Sequence, residues 1–216
     1  MYYEQLDKIQ KIRPRQNRAQ GTLIRTFDVV CALLAILISL PVTLVIAILI
    51  KCESWRDPIF FKQVRIGKNG KSFGMYKFRS MHVDAEAKLE ALLAQNEMQG
   101  AMFKMKDDPR ITKVGRFIRK TSLDEFPQFL NILRGEMSFV GPRPPLAREV
   151  AEYSDYDLQR LAITPGCTGL WQVSGRNTLT FEEMVALDLK YIREQSLWLN
   201  IKILCLTFKE FAGKGM

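Results

Sequence analysis

The chain has 216 residues, 47% of them hydrophobic, and it carries a formal net charge of +9 at pH 7. This length allows one domain of ordinary size or a smaller domain with a membrane anchor, and the charge favours an anionic partner: nucleic acid, a phosphorylated substrate or a membrane surface. The four cysteines form no C-x-x-C pair and His82 is the single histidine, which argues against zinc and disulfide chemistry. Any metal is therefore expected to be a hard, oxygen-bound cation such as Mg²⁺.

An uncharged apolar stretch covers residues 29–50. As one continuous helix it would be about 33 Å long, close to the thickness of the hydrocarbon core of a bilayer. Pro41, with Ser39 just before it, predicts a break in this helix, because a proline cannot donate the backbone hydrogen bond that the helix needs. Basic residues flank the stretch on both sides: Lys8, Lys11, Arg13, Arg15, Arg18 and Arg25 before it, and Lys51, Arg56, Lys62, Arg65, Lys68 and Lys71 after it.

Such basic flanks belong on the cytosolic side of a membrane, and a single crossing would leave one of them outside. The sequence therefore predicts a basic N-terminal segment at 1–25 and a re-entrant membrane helix at 26–51 that returns to the same side. An ordinary membrane-spanning helix with a tolerated proline is the alternative.

The remaining residues, 52–216, are predicted to form one compact α+β domain that is mostly helical. Residues 59–66 and 73–78 are rich in aromatic and β-branched side chains, and an Asn-Gly pair between them predicts the turn of a β-hairpin. Residues 84–97 are rich in helix formers and predict a surface helix.

A final amphipathic helix is predicted near the C-terminus. Trp198 and neighbouring lysines suit a helix that lies in the membrane interface, although the same pattern fits a helix packed on the domain core. The apolar stripe that predicts the helix consists of Leu197, Ile201, Leu204, Phe208 and Phe211.

Two adjacent carboxylates, Asp124 and Glu125, lie at the predicted start of a helix that continues through Leu133. Ser122 and Glu125 also fit a capping box, in which both side chains would only satisfy backbone N–H groups. Pro127 weakens that interpretation, because a helix capped at Ser122 would place the proline where a backbone hydrogen bond is required. A later start leaves both carboxylates at the mouth of the helix.

Cations surround this pair in the sequence, namely Arg116, Arg119 and Lys120. Such surroundings keep a carboxylate ionised and attract phosphate. A carboxylate can attack phosphorus when Mg²⁺ and arginines neutralise the charge of its target. Arg143 lies in a proline-rich stretch at 141–145, where a stiff backbone would present its guanidinium to a phosphate, or would merely hold it in solvent.

A second helix start is predicted at 180–183, from the spacing of Thr180 and Glu183. Asp188 then falls on the apolar face of that helix, where a buried carboxylate needs a cationic partner. The sequence predicts a structural ion pair for Asp188.

Four long motifs carry a resemblance to a known family: DPIFFKQVRIGKNGKSFGMYKFRSM (57–81), RKTSLDEFPQFLNILRGEMSFVGPRP (119–144), PGCTGLWQVSGRN (165–177) and LWLNIKIL (197–204). Together they resemble the monotopic polyprenyl-phosphate phosphoglycosyl transferases, the bacterial sugar transferases. The resemblance implies that an enzyme aspartate attacks the β-phosphate of a UDP-sugar and expels UMP. Polyprenyl phosphate then takes the phosphosugar, at the cytoplasmic face of the bacterial inner membrane. The segment 84–108 and the GLWQVSGR motif resemble the branch that transfers a hexose.

The same resemblance implies roles for individual residues. Asp124 matches the nucleophile and Glu125 its partner, with both carboxylates as ligands of the Mg²⁺ cofactor, while Ser39 and Pro41 match the membrane-helix break. Leu40 separates those two residues, and Asn200 stands where many relatives carry an aspartate. The basic positions that match phosphate or nucleotide contacts are Lys77, Arg79, Arg119, Arg143 and Arg176.

The expected partners are a UDP-sugar, polyprenyl phosphate and membrane lipids, without nucleic acid, and a homo-oligomer remains open. One alternative is direct, single-step transfer in which Asp124 only activates the lipid phosphate or binds metal. Another is a basic, membrane-anchored scaffold or nucleic-acid binder, which only the net positive charge supports.

Overall fold

The computed structural model describes residues 18–85, 87, 88, 92, 105, 108–175 and 178–213, with the side chains of 211–213 left out. Within these residues the fold mixes helices with small sheets, which confirms the mixed class predicted from the sequence. Its helices are α1 (Arg18–Glu53), α2 (Lys113–Lys120), α3 (Gln128–Arg134), α4 (Ala147–Ala151), α5 (Phe181–Glu194) and α6 (Leu197–Gly213), and its strands are β1 (Phe60–Ile66), β2 (Ser72–Phe78), β3 (Ser138–Val140) and β4 (Gly166–Thr168).

Helix α1 contains the apolar stretch and continues through Pro41. It is long and apolar enough to cross a membrane, and only 17% of its most apolar stretch is buried against the rest of the protein. A core helix of a soluble protein would be mostly buried, so this exposed surface needs another apolar environment. The break at Ser39 and Pro41 and the re-entrant path stay predictions.

Both ends of α1 contact the same domain. Near its start, the Asp28 carboxylate accepts a hydrogen bond from the backbone N–H of Phe139 at 3.1 Å. At its end, the Glu53 carboxylate accepts one from the backbone N–H of Lys113 at 2.7 Å, at the first residue of α2. Ile46 also packs near this end, in an apolar cluster that includes Ile118 of α2. The helix is therefore anchored on the domain at two separated points.

Strands β1 and β2 form the predicted antiparallel hairpin, with Phe60 opposite Phe78 and Ile66 opposite Ser72. The turn uses positive φ angles of 56° at Asn69 and 74° at Gly70. This confirms the hairpin, because an Asn-Gly pair adopts such angles at little cost.

A second, parallel pair of strands, β3 and β4, packs with α5 and α6 around the main apolar core. The predicted start of α5 is confirmed: Thr180 Oγ1 accepts from Glu183 N–H at 3.3 Å, and the Glu183 carboxylate accepts from Thr180 N–H at 2.8 Å. Residues that share this core include Val140, Ile163, Val185, Leu189, Tyr191, Ile192 and Ile203.

Helix α6 has two unlike faces. Asn200 and Ile203 are buried on the core, whereas Trp198 is 76% exposed and Phe208 is 72% exposed. Packing on the core therefore uses Leu204 of the predicted stripe together with Asn200 and Ile203, which lie outside it. An interfacial role for the exposed face stays a prediction.

One expected helix start is wrong. Asp124 and Glu125 lie in a short 3-10 turn, Leu123–Glu125, and the following helix α3 begins only at Gln128 with Pro127 at its cap position. Ser122 makes no side-chain capping bond, which excludes the capping box. The predicted surface helix at 84–97 falls almost wholly outside the described residues.

Candidate active site

A pocket of about 530 Å³ opens between the β-hairpin and the segments that follow it. Asp124 reaches this pocket from the 3-10 turn, and the pocket wall is strongly basic. Its charged lining consists of Arg65, Lys77, Arg79, Asp108, Arg110, Arg119, Asp124, Arg143, Arg148 and Glu149, with His82 beside them. Such a wall suits a ligand with several negative charges.

The two carboxylates meet one lysine. Lys77 of β2 donates from Nζ to Glu125 Oε1 at 3.1 Å, and its Nζ lies 3.7 Å from Asp124 Oδ2. Asp124 is 7% exposed, while the Glu125 side chain is 42% exposed. The dyad therefore combines a sheltered carboxylate with an accessible one.

Local backbone geometry turns Asp124 toward this wall. Ser122 adopts a left-handed conformation, with φ 56° and ψ 17°, immediately before the 3-10 turn. A serine rarely occupies this region, so the surrounding packing must hold it there at a cost of roughly 1–3 kcal/mol. The sharp reversal after α2 brings the carboxylates back over β2.

Burial and charge act in opposite directions on Asp124. Desolvation has the largest effect and raises the pKa of its carboxyl above the ordinary value. Lys77 lowers that pKa, and Arg119 lowers it to a smaller extent. The neighbouring Glu125 raises it further. The cations near Asp124 thus offset part of the effect of burial on its carboxyl group.

Arg116, Arg119 and Lys120 are all exposed on α2, and of these Arg119 lines the pocket. Arg79 also lines it; its Nε donates to the Pro58 carbonyl at 2.9 Å, and its guanidinium lies 5.6 Å from the ring of Phe61. Arg176 lies outside the described residues. Of the five predicted phosphate contacts, the structure brings Lys77, Arg79, Arg119 and Arg143 together around Asp124.

Arg143 is exposed between buried prolines on a segment held at both ends. On one side, Gly141 N–H donates to the Thr168 carbonyl at 2.9 Å; on the other, Ile66 N–H donates to the Pro145 carbonyl at 2.9 Å. A Cβ on Gly141 would lie 2.7 Å from the Thr164 carbonyl oxygen, so only glycine permits this close approach. The segment holds Arg143 at the pocket, which is more than a connector would require.

Sequence reasoning missed a second arginine beneath this segment. Arg65 is 6% exposed, and it donates to the Pro144 carbonyl at 3.0 Å and to Gln63 Oε1 at 2.7 Å. Burial and the nearby Arg143 lower its pKa to about 10. The sequence carried no signal for this burial, because the exposed residues that alternate with it on β1 include the apolar Phe60 and Val64.

Asp108 and Arg110 form another unpredicted part of the wall. Arg110 Nη2 donates to Asp108 Oδ2 at 2.7 Å, and both side chains are buried. The two side chains neutralise each other, and both line the pocket.

The protein side chains at the site could supply only part of the ligand set of a Mg²⁺ ion. No cluster of three or more metal-binding side chains occurs among the described residues. Mg²⁺ commonly binds through one or two carboxylates together with substrate phosphates and water, which is what Asp124 and Glu125 can offer.

The predicted structural pair is confirmed away from the pocket. Asp188 is fully buried, and Arg160 donates to its Oδ2 from Nη2 at 2.6 Å and from Nε at 2.8 Å. Asn200, also buried, lies with its Oδ1 2.8 Å from the hydroxyl of Tyr191. An amide serves there as a neutral acceptor, so this position needs no acidic residue.

Comparison with known proteins found one matching family model and several similar proteins. The family model described as bacterial sugar transferase matches residues 19–214. The galactosyl transferase CpsE of Streptococcus agalactiae is 57% identical over 153 residues, covering 70% of this chain and 34% of that protein. An undecaprenyl-phosphate galactose phosphotransferase of Salmonella typhimurium is 45% identical over 196 residues, covering 89% of this chain and 41% of that protein.

A shorter relative matches over most of both chains. The exopolysaccharide production protein ExoY of Rhizobium meliloti is 42% identical over 191 residues, covering 87% of this chain and 84% of that protein. The chain thus spans less than half the length of the two longer relatives and most of the length of ExoY.

Proposed function

Because this chain belongs to the bacterial sugar transferase family, we propose that it transfers a sugar 1-phosphate from a UDP-sugar to polyprenyl phosphate and releases UMP. The names of its relatives support this choice, since one is an undecaprenyl-phosphate galactose phosphotransferase and another a galactosyl transferase. A UDP-hexose is the proposed donor. The product would begin the membrane-bound assembly of a polysaccharide.

The observation that carries this proposal is Asp124, which is buried in a basic pocket beside Lys77 and Glu125. In the first half-reaction, an Asp124 carboxylate oxygen forms a bond to the β-phosphorus of the UDP-sugar, and the bond from that phosphorus to the bridging oxygen breaks. UMP leaves with the bonding pair. In the second half, a phosphate oxygen of the lipid attacks the same phosphorus and frees the Asp124 carboxylate.

The basic wall would hold and neutralise the diphosphate. Lys77 and Arg119 are the cations that act most strongly on Asp124, so they suit the phosphoryl group under attack. Arg143 and Arg79 line the same pocket and suit the leaving phosphate. Preorganised cations stabilise charge that develops in the transition state, and this is commonly the largest contribution to catalysis.

Mg²⁺ is the proposed cofactor, held by Asp124 and Glu125 together with substrate phosphate. When bound, it would supply positive charge to the diphosphate. Lys77 contacts both carboxylates and would keep them oriented for this role. Glu125, the more exposed of the two, suits the larger share of metal binding.

The two anchoring points of α1 support a re-entrant path. Asp28 and Glu53 lie at opposite ends of the apolar stretch, yet each is bonded to the same domain. A helix that crossed the bilayer once would carry one of these ends away from the domain. The proposed location is the inner membrane, with the catalytic domain on the cytoplasmic face and the apolar middle of α1 in lipid.

The test of the reaction uses Asp124→Asn in the full chain, with Asp155→Asn as a matched control at an exposed position. We expect the Asp124 variant to lose UMP release by at least about 1,000-fold, because an amide cannot form the acyl phosphate. Its thermal unfolding should match the wild type. An active Asp124→Asn variant would remove the basis of the proposal and favour a scaffold.

Trapping distinguishes two-step from direct transfer. The wild type is incubated with labelled UDP-galactose and Mg²⁺ without lipid, and Asp124 is searched for a phosphosugar adduct by mass spectrometry. Transfer to lipid without any adduct would favour the single-step alternative. A panel of UDP-sugars then identifies the donor.

The re-entrant path is tested by cysteines introduced at 15 or 62 in a background without the native cysteines. We expect an impermeant thiol reagent outside the inner membrane to label neither position. Labelling at 15 alone would establish a membrane-spanning helix.

A further inference from the structure

Helix α3 connects the dyad to the membrane helix. Its first residue, Gln128, follows Glu125 by three positions, and its C-terminal end is closed by Gly135 with φ 80°. The last carbonyls of a helix lack partners within it and carry the negative end of its dipole. A cation from another segment that binds these carbonyls therefore ties the end of the helix to that segment.

Arg25 of α1 binds them. Its Nη1 donates to the Ile132 carbonyl at 2.5 Å and its Nη2 to the Leu133 carbonyl at 2.7 Å. The planar guanidinium therefore holds two adjacent carbonyls at once, through two N–H groups in a fixed fork. Ala32, two turns further along α1, is buried in a cluster with Ile132. Helix α1 thus binds the C-terminal end of α3 through the Arg25 hydrogen bonds and through apolar packing at Ala32.

Asn131 joins the middle of α3 to the strand that carries Lys77. Its Oδ1 accepts from Tyr76 N–H at 2.9 Å, and its Nδ2 donates to the Gly74 carbonyl at 2.8 Å. Asn131 is fully buried, so these bonds are sheltered from water. Tyr76 precedes Lys77, so a shift of α3 relative to β2 would change the distance between Lys77 and the dyad.

We propose that Arg25 is a positioning residue, which holds α3 so that Asp124 and Glu125 stay within reach of Lys77. Through this contact, the seating of α1 determines the geometry of the pocket about 100 residues away in sequence. The inference rests on the proposed function, since it assigns to the membrane helix a part in the first half-reaction besides anchoring. It also requires no contact between Arg25 and the substrate.

The experiment compares Arg25→Ala with Arg18→Ala, which removes an exposed arginine two turns earlier on the same helix. For Arg25→Ala, we expect kcat of UMP release to fall by about 10- to 100-fold, because small misplacements of reacting groups cost that much. KM should stay within about twofold, since the phosphate-binding cations remain in the pocket. Arg18→Ala should resemble the wild type, and Arg25→Lys should recover part of the rate.

A second measurement is independent of activity. Lys77 is paired with the dyad, so a water-soluble acylating reagent should modify it slowly in the wild type, as followed by mass spectrometry. We expect modification of Lys77 to accelerate severalfold in Arg25→Ala and to stay unchanged in Arg18→Ala. Thermal unfolding and membrane recovery of each variant show whether the folded fraction is preserved.

The outcomes separate this inference from the proposed function. A wild type that releases no UMP overturns the function, while Lys77 modification still decides the role of Arg25. An active wild type with unchanged kcat and unchanged Lys77 modification in Arg25→Ala overturns the positioning role. Equal losses in Arg25→Ala and Arg18→Ala, or losses that follow only the folded fraction, overturn it as well.

Discussion

Two ion pairs in this protein, one made by Arg160 and one by Lys77, differ in their surroundings and in their roles. Arg160 meets Asp188 at 2.6 and 2.8 Å, with side chains 7% and 1% exposed. Lys77 meets Glu125 at 3.1 Å and Asp124 at 3.7 Å, at the wall of an open pocket. The first contact is closed to solvent and the second is accessible.

The difference lies in what surrounds each pair. The guanidinium of Arg160 lies 5.8 Å from the rings of both Tyr153 and Phe181, so neither water nor a ligand approaches easily. Asp124 keeps a desolvated carboxylate beside a single lysine, with arginines farther off. An ion pair closed off by packing serves the fold, whereas one at the wall of an open pocket is accessible to a substrate.

The largest expected effect is on stability, from Asp188→Asn. Losing one partner leaves the Arg160 charge buried without compensation, which costs about 3–5 kcal/mol in the free energy of unfolding. Denaturant unfolding of the purified variant measures this. Replacing both partners, as Arg160→Met with Asp188→Leu, should restore much of the loss. An Asp188→Asn variant as stable as the wild type would contradict the structural role.

Lys77→Met should spare stability and reduce activity. Removing the cation that holds the dyad is expected to lower UMP release about 100-fold, or about 2.7 kcal/mol, with little change in the unfolding midpoint. Lys71→Met, at an exposed position of the same hairpin, is the matched control. If Lys77→Met unfolded as readily as Asp188→Asn does, the two contacts would not differ in kind.

Arg143→Lys is expected to have the smallest effect, a rise of about tenfold in KM for the UDP-sugar, or about 1.4 kcal/mol. Lysine keeps the charge but loses the planar fork that grips a phosphate at two points. The exposed Arg116→Lys serves as the control. A KM unchanged by Arg143→Lys, with Arg143→Ala equally silent, would show that the 141–145 segment does not bind the diphosphate.

Elements specified by neighbouring residues were predictable. The Asn-Gly turn gave the hairpin, and the Thr180 and Glu183 spacing gave the start of α5, because each depends on groups a few residues apart. The start of α3 was not predicted, since Asp124 and Glu125 lie in a separate 3-10 turn and Pro127 takes the cap position of the helix. The left-handed conformation of Ser122 before that turn is one that serine rarely adopts, so residue type did not predict it.

The sequence by itself determined the chemical groups of this protein: an apolar N-terminal helix, an adjacent pair of carboxylates, and basic motifs that resemble one family. Only the tertiary structure decided which groups meet. Lys77 reaches Glu125 across 48 positions, and Arg25 reaches Ile132 across 107. The physical reason is that a side chain's identity fixes what it can bond, while its partner is chosen by packing between segments far apart in the chain.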